Sequence, residues 1–506
     1  MTLRQLVLAS ILFVANSVLA APAPPPNDAT QSALVQIAGN AAMNTRAFQF
    51  LTELSDDIGP RLTGSPQDHK AEEWGIAQMK SIGLQSVHTE NYPVWKGWTR
   101  GVAEASILAP TPRKLNPAAM GWTGSTPPGG VDGELLPANV FDLEEAIKNA
   151  KTYRGKIVFL WAQGRPKSNL NIGIIFGQIG EFLRAAQKSG ALAVLTGDYG
   201  FKPEGLGLVH TGILGFSADF AIPFAELPRE DQGQLERYLL AGDTVRVHLN
   251  VQNQFTSGPV ESANVLGEIP GREHPEQIVV LGAHLDSWDL SEGTTDNGFG
   301  VAAVLAAADA IVKSGVRPRR TIRFVLFTGE EQGLLGSLAY VKQHAAEMQN
   351  HLAAIILDNG QGPIKEFQLG GRSDLVESFQ PFADSLENIR DIKVSNKIEI
   401  ETDTASFILA GLPGINLDQD SPEYKYTHHS AADALEAAKP DILVQDAAVM
   451  GLTAYWIADR QDRLDKPWPP EETARALREN GFYDMLQALG LWTFGNLGEA
   501  APPNDK

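Results

Sequence analysis

In the second half of the chain, apolar positions fall into short compact runs separated by polar, glycine-bearing stretches. Gln277 to Ala283, Thr321 to Phe327 and Leu352 to Leu357 are nearly continuous apolar runs of strand length. Between them, Val301 to Lys313 and Leu334 to His344 carry the helical repeat. Ile392 to Ile400 reads as a further strand, followed by a helix near Ala405 and a long helix from Asp441 to Arg460. Short apolar strands alternating with helices are buried on both faces, which predicts an α/β fold with a mostly parallel, twisted sheet flanked by helices. A site in such a sheet is expected at the carboxyl ends of the strands.

The first half is patterned differently. Ser32 to Gly83 reads as helices interrupted by Gly59-Pro60-Arg61 and Thr63-Gly64-Ser65-Pro66, and the stretch through Pro110 as a hairpin or edge strands. Gly121 to Gly133 is rich in Gly, Pro, Ser and Thr and marks a boundary. Beyond it, Lys156 to Leu160 (strand), Glu181 to Ser189 (helix), Ala191 to Leu195 and Val245 to Val251 (strands) make a separate small module, with Ser257-Gly258-Pro259 as the return point. The expected division is a main domain over 33–124 and 257–460, an insert over 125–256, and a helical extension over 461–506 with a helix from Glu471 to Leu489. At the N-terminus, Arg4, the apolar Leu6 to Val14 and Val18-Leu19-Ala20 have the order of an export signal over 1–20, followed by a flexible segment over 21–32, so a periplasmic or extracellular protein is expected. That apolar stretch is shorter than the ~20 residues that span a bilayer, and no later segment reads as a span, so no stable membrane association is expected.

Composition narrows the chemistry. A chain of 506 residues with 43% hydrophobic content can bury more than one core. Its net charge of −20, from 41 basic and 61 acidic residues, argues against a nucleic-acid partner. There is no cysteine, so any metal must be held by His, Asp and Glu.

Those residue types gather where the fold would place a site. The strand ending at Ala283 delivers His284-Leu285-Asp286, and Asp296 follows in a glycine-flanked loop. The strand ending at Phe327 delivers Gly329-Glu330-Glu331, the strand ending at Leu357 delivers Asp358, and a downstream turn delivers His428-His429. A lone strand-end Asp or His is more often a turn or cap residue, but that explanation does not cover all these positions together. Imidazole and carboxylate suit zinc, and a carboxylate can bridge two ions, so the count fits a two-metal hydrolase. One ion would take His284 and Asp358, the other Glu331 and a histidine of the downstream turn, with Asp296 shared. Neighbouring residues of an extended chain point in opposite directions, so with Glu331 facing a metal, Glu330 is free to take a proton from the attacking water and pass it to the leaving amine. Asp286 is placed to accept a hydrogen bond from the other ring nitrogen of His284. No H-E-x-x-H, G-x-S-x-G or G-x-x-x-x-G-K-[ST] motif occurs.

The segments GPRLTGS at Gly59, VVLGAHLDSW at Val279, GTTDNGFG at Gly293, FTGEEQGLLGS at Phe327, ILDNG at Ile356 and TDTASFILAGLPGINL at Thr402 resemble, in that order, the co-catalytic zinc aminopeptidases and glutamate carboxypeptidases. The resemblance spans residues 33 to 460. It implies two Zn2+ ions, the ligands His284, Asp296 (bridging), Glu331, Asp358 and His429, and Glu330 as general base. His429 is chosen over His428 because it directly precedes Ser430. Further implications are a cis peptide at Asp296-Asn297, and for Tyr426 either donation to the tetrahedral intermediate or packing. RGKIVFL and AAQKSGALAVL make the insert similar to a protease-associated domain. The implied substrates are short peptides with a free terminus, which leaves aminopeptidase, carboxypeptidase and dipeptidase open, as it leaves a homodimer open. Ala434 stands where relatives often carry Thr, which touches an outer hydrogen bond. Two alternatives share the scaffold: a glutaminyl cyclase-like transferase with one metal, and a non-catalytic binding protein.

Overall fold

The computed structural model describes residues 28–44, 46–164, 172–197, 207–212, 219–464 and 466–488. Strands β1 (Gln85–Val94), β2 (Val260–Ile269), β3 (His274–His284), β4 (Arg320–Phe327), β5 (His351–Ile356), β6 (Ile364–Gln368), β7 (Lys393–Ser395) and β8 (Gly414–Gln419) form an eight-stranded sheet in the order β1-β2-β4-β3-β5-β8-β6-β7. The central β4, β3, β5 and β8 are parallel. Antiparallel pairing at β1/β2, β2/β4 and β8/β6 makes the sheet mixed. Every residue of β5 is buried, as expected for a strand covered on both faces.

Helices α1 (Asp28–Ala42), α2 (Pro66–Ile82), α3 (Phe299–Ser314) and α4 (Pro440–Asp459) share the larger core of this sheet. In α2 the local signals are complete: the Ser65 hydroxyl accepts from Asp68 N at 3.1 Å, Pro66 opens the first turn, and Gly83 closes the helix in the left-handed conformation. α3 is buried from Phe299 through Ile311, and its alanines let α4 approach closely, with Gly451 set against Ala307. By length and composition Thr294–Ser314 is apolar enough to cross a membrane, which corrects the sequence reading, but 94% of that window is buried inside the protein.

A second eight-stranded sheet runs, in order, through Arg113–Leu115, Ala103–Ala109, Arg246–Val251, Val131–Asn139, Ile157–Trp161, Ala193–Thr196, Phe224–Glu226 and Ala118–Ala119. It takes in strands from Ala103 onward, ahead of the glycine-rich stretch expected to mark the boundary, because Ala103–Ala109 pairs antiparallel with Arg246–Val251. Its core also holds Leu62 and Trp288, contributed by loops beside the main sheet.

Other differences have local causes. Of the strand expected over Ile392 to Ile400 only Lys393–Ser395 is a strand, because Ile398 and Ile400 instead pack with Ala474 and Leu477 of the C-terminal helices. The C-terminal helix divides into Pro470–Glu479 and Tyr483–Ala488 around Gly481, whose φ is 79°. α1 begins at Asp28, inside the segment expected to be flexible, and Thr30 anchors it by donating to Asp459 of α4 at 2.7 Å. The export signal expected over 1–20 lies outside the described residues, as does Leu489.

Candidate metal centre

Three parallel neighbours present their carboxyl ends at one edge of the sheet. β3 ends on His284, β5 leads into Asp358, and β4 runs into Gly329-Glu330-Glu331. Gly329 turns the chain with φ 70°, and a Cβ there would lie 2.6 Å from the Tyr92 hydroxyl, so the close approach of β1 requires glycine.

The loop after β3 is held by a buried cation. Arg61 is fully enclosed, and its guanidinium donates to the carbonyls of Leu285 (2.5 Å), Glu292 (2.6 Å), Gly293 (2.7 Å) and Gly59 (3.2 Å). Burial lowers its pKa to about 10, which leaves it charged at neutral pH. The Asp433 carboxylate accepts from the backbone N–H of Thr295 (2.6 Å) and Asp296 (3.2 Å). The Asp296–Asn297 peptide is cis. Asn297 donates to the Leu357 carbonyl at 2.8 Å and accepts from Gly300 N at 2.9 Å, an approach so close that a Cβ on Gly300 would sit 2.3 Å from Asn297 Oδ1.

The side chains converge on Asp296. His284 Nε2 lies 3.2 Å from Asp296 Oδ1 and 3.1 Å from Asp358 Oδ1. His429 Nε2 lies 3.3 Å from Asp296 Oδ2 and 3.0 Å from Glu331 Oε2. His428 stacks on His429 with ring centroids 3.7 Å apart, and its Nε2 is 3.9 Å from Asp296 Oδ2. The cluster thus has two halves, His284 with Asp358 and His429 with Glu331, and Asp296 turns one oxygen to each.

Asp286 meets His284 through both its backbone and its carboxylate. His284 Nδ1 is nearest the Asp286 backbone carbonyl, at 3.0 Å, with the carboxylate at 3.5 Å. The carboxylate also accepts from the Thr63 hydroxyl at 2.7 Å and from Glu330 N at 3.3 Å, so it ties the GPRLTGS segment to the Glu330 turn.

The electrostatics are those of crowded carboxylates around imidazoles. Burial alone would raise Asp296, but the hydrogen bond from His284 and the flanking His429 and His428 hold it below the ordinary range. Burial pushes Glu331 well up, with Asp296 adding to the effect, and it pushes Asp358 up against the opposing pull of His284. Burial would lower His284, yet Asp358, Asp286 and Asp296 hold its proton well above the usual range. Glu330 is also pushed well up, by burial first and then by Asp358 and Asp403, with His284 opposing.

The Lys425 ammonium lies over the Tyr426 ring, 5.0 Å from its centroid. Tyr424 stands beside the cluster. Its ring packs 4.9 Å from His428 and against Gly360, and burial followed by the nearby Asp296, Asp358 and Glu331 carboxylates raises its hydroxyl pKa well above the usual value. A cleft beside the cluster is lined by Trp288, Ser291, Gly293, Asp296, His429, Ser430 and Asp433.

This fold and this cluster define a metallopeptidase scaffold, and the chain belongs to peptidase family M28. The model of that family matches residues 264–453. Carboxypeptidase Q of Mus musculus is 30% identical over 439 residues, covering 86% of this chain and 90% of that protein, and carboxypeptidase Q of Homo sapiens matches to the same extent. Among solved structures, a peptidase M28 precursor from Shewanella amazonensis superposes with a TM-score of 0.77 at 31% identity, covering 88% of this chain and all of the other. A zinc aminopeptidase from Bacillus subtilis shares the fold, with a TM-score of 0.63 at 22% identity over 84% of this chain and 97% of that one.

The residues present fit zinc. His284, Asp296 and Asp358 form one group whose ligand atoms lie within 4.8 Å of one another, and Asp296, His428 and His429 form another. Asp296 Oδ2 and Glu331 Oε1 are buried without a hydrogen-bond partner. Buried carboxylate oxygens without a hydrogen bond, inside a cluster of carboxylates and imidazoles, call for a cation.

Proposed function

We propose that this protein is a zinc-dependent exopeptidase that holds two zinc ions and hydrolyses peptide bonds of short peptides or dipeptides from a free terminus. The observation that carries the reading is Asp296, enclosed between a His284–Asp358 half and a His429–Glu331 half with one oxygen toward each. His284 and Asp358 would hold one ion, Glu331 and His429 the other, and Asp296 would bridge them. Zinc so bound supplies Lewis acidity toward the scissile carbonyl and lowers the pKa of water to ~7.

The rest falls to this chain's own side chains. Glu330 stands beside Glu331 without being needed as a ligand, and its raised affinity for a proton suits a carboxylate that takes one from the attacking water. It then delivers that proton to the leaving nitrogen. Asp286 fixes the turn that carries Glu330 through the Glu330 N–H, and its own carbonyl orients the His284 ring. The signal-like first 20 residues support action outside the cytoplasm.

Glu330→Gln tests the reading. The variant should keep both zinc ions by elemental analysis while turnover of unblocked dipeptides falls by about 100- to 10,000-fold. Undiminished turnover would remove Glu330 as the base. N-acylated and C-amidated versions of the same dipeptides then identify the terminus that matters: loss on acylation alone means an aminopeptidase, on amidation alone a carboxypeptidase, on both a dipeptidase.

A further inference from the structure

The turn that carries His429 is not shaped by the main sheet alone. His429 has φ 58°, a left-handed conformation that residues bearing a side chain adopt rarely and keep only where the surroundings enforce it. The enforcement comes from the second sheet's side of the molecule. Thr211 N donates to the His429 carbonyl at 3.0 Å, the ring of His210 is 2.7 Å from the His428 carbonyl through Nδ1, and His210 forms an antiparallel bridge with Ser430. The segment bearing His210 and Thr211 is itself braced: Gly121 N donates to the Gly212 carbonyl at 2.9 Å, and Arg100 Nη2 donates to the Thr211 hydroxyl at 3.2 Å. Arg100 is in turn fixed by an ion pair with Asp289 at 2.5 Å, which comes from the loop after β3 and follows Trp288. Trp288 packs in the second sheet's core and places its ring 5.8 Å from that of His429.

We infer that the second unit is part of the metal centre: Thr211, braced by Arg100, is a positioning residue that holds the His429 backbone in its ligand conformation. The ion on the His429–Glu331 half should therefore be bound more weakly once that clamp is cut. The ion on the His284–Asp358 half, whose residues hang from the parallel strands, should be unaffected. The inference rests on the two-zinc reading proposed above and adds to it a division of labour: one ion site belongs to the sheet, the other is completed across two units.

Thr211→Pro removes the N–H that donates to His429, and Thr211→Val keeps it. Zinc affinity is measured by competition with a chromophoric chelator on the purified full chain, with bound metal counted at each chelator concentration and folding checked by thermal unfolding. Thr211→Pro should hold one equivalent as tightly as wild type and the second about 10- to 100-fold more weakly, as loss of a ligand-orienting contact does, while Thr211→Val, which keeps the N–H but loses the Arg100 brace, weakens the second by less. A purely architectural role would not move one affinity and spare the other. If folded Thr211→Pro binds both ions as wild type does, or loses both equally, the inference is overturned. If Thr211→Pro does not fold, Arg100→Gln decides: selective weakening of one equivalent sustains the inference, and unchanged affinities overturn it. If wild type itself holds fewer than two equivalents, the two-zinc reading fails first, a result distinct from failure of the clamp.

Discussion

Arg61 shows how much of a site can hang on one enclosed side chain. It occupies no position a metal or substrate could reach, yet it satisfies four backbone carbonyls around the loop that leads to Asp296. Charged hydrogen bonds of this kind contribute more than neutral ones, and removing the donor strands buried acceptors. Arg61→Ala should therefore destabilise the zinc-free protein by about 3 kcal/mol or more in urea unfolding. A change below about 1 kcal/mol would mean that the loop is held by other contacts. The motif GPRLTGS was visible in the sequence, but its purpose was not, since a charged residue between Pro60 and Leu62 reads equally well as a surface turn. The same limit applies to Tyr424: it lies five residues before His429, and only the folded turn shows that the carboxylates of the cluster raise its hydroxyl pKa.

Among elements, those of the central sheet were legible because their signals are local: a buried strand is a compact apolar run, and a core helix such as α3 is apolar on nearly every face. Edge elements were less so. β7 is three residues long, since the isoleucines that follow it are taken up by packing against C-terminal helices that no local pattern announces. α4 carries a testable case of coupling between elements. Its Asp446 is buried, accepts from Ile364 N at the start of β6 and from Gln419 Nε2 at the end of β8, each at 3.2 Å, and burial pushes its pKa up to about 7 from an ordinary 3.8. The folded chain therefore binds this proton more tightly than the unfolded chain does. The resulting stabilisation is complete below pH 3.8 and is lost as pH rises to about 7. Measured by urea unfolding across pH, wild type should lose stability relative to Asp446→Asn between pH 4 and 7, and the difference should level off above that. A difference constant with pH would show that Asp446 is ionised throughout.

For the molecule as a whole, the main consequence is linkage between metal, fold and the second unit. Asp296, Glu331 and Asp358 are buried beside one another, and a bound cation stabilises that arrangement in the folded state alone. Protein stripped by a chelator should unfold at a lower temperature than protein reloaded with zinc, by an amount equivalent to about 4 kcal/mol per site when free zinc is a thousandfold above its dissociation constant. Equal unfolding temperatures by circular dichroism would contradict a metal site built from these residues. The boundary between the two units also belongs to this scale. A glycine-rich stretch marked it in the sequence, whereas the second sheet recruits Ala103–Ala109 by long-range pairing and shares its core with Trp288. Such pairings join residues far apart in the chain and leave no local periodicity.

What the sequence by itself determined was the α/β class, the central strands and helices, and the strand ends at which His284, Glu331 and Asp358 stand. Each follows from apolar periodicity and from the chain direction of a strand, both of which are written into neighbouring residues. Only the tertiary structure decided that Asp286 braces Glu330 as well as His284, that Tyr424 stands beside the carboxylates of the cluster, and that Thr211 grips the His429 turn. Those are orientations of side chains and carbonyls set by contacts between different segments of the chain, and a pattern of neighbours cannot carry them.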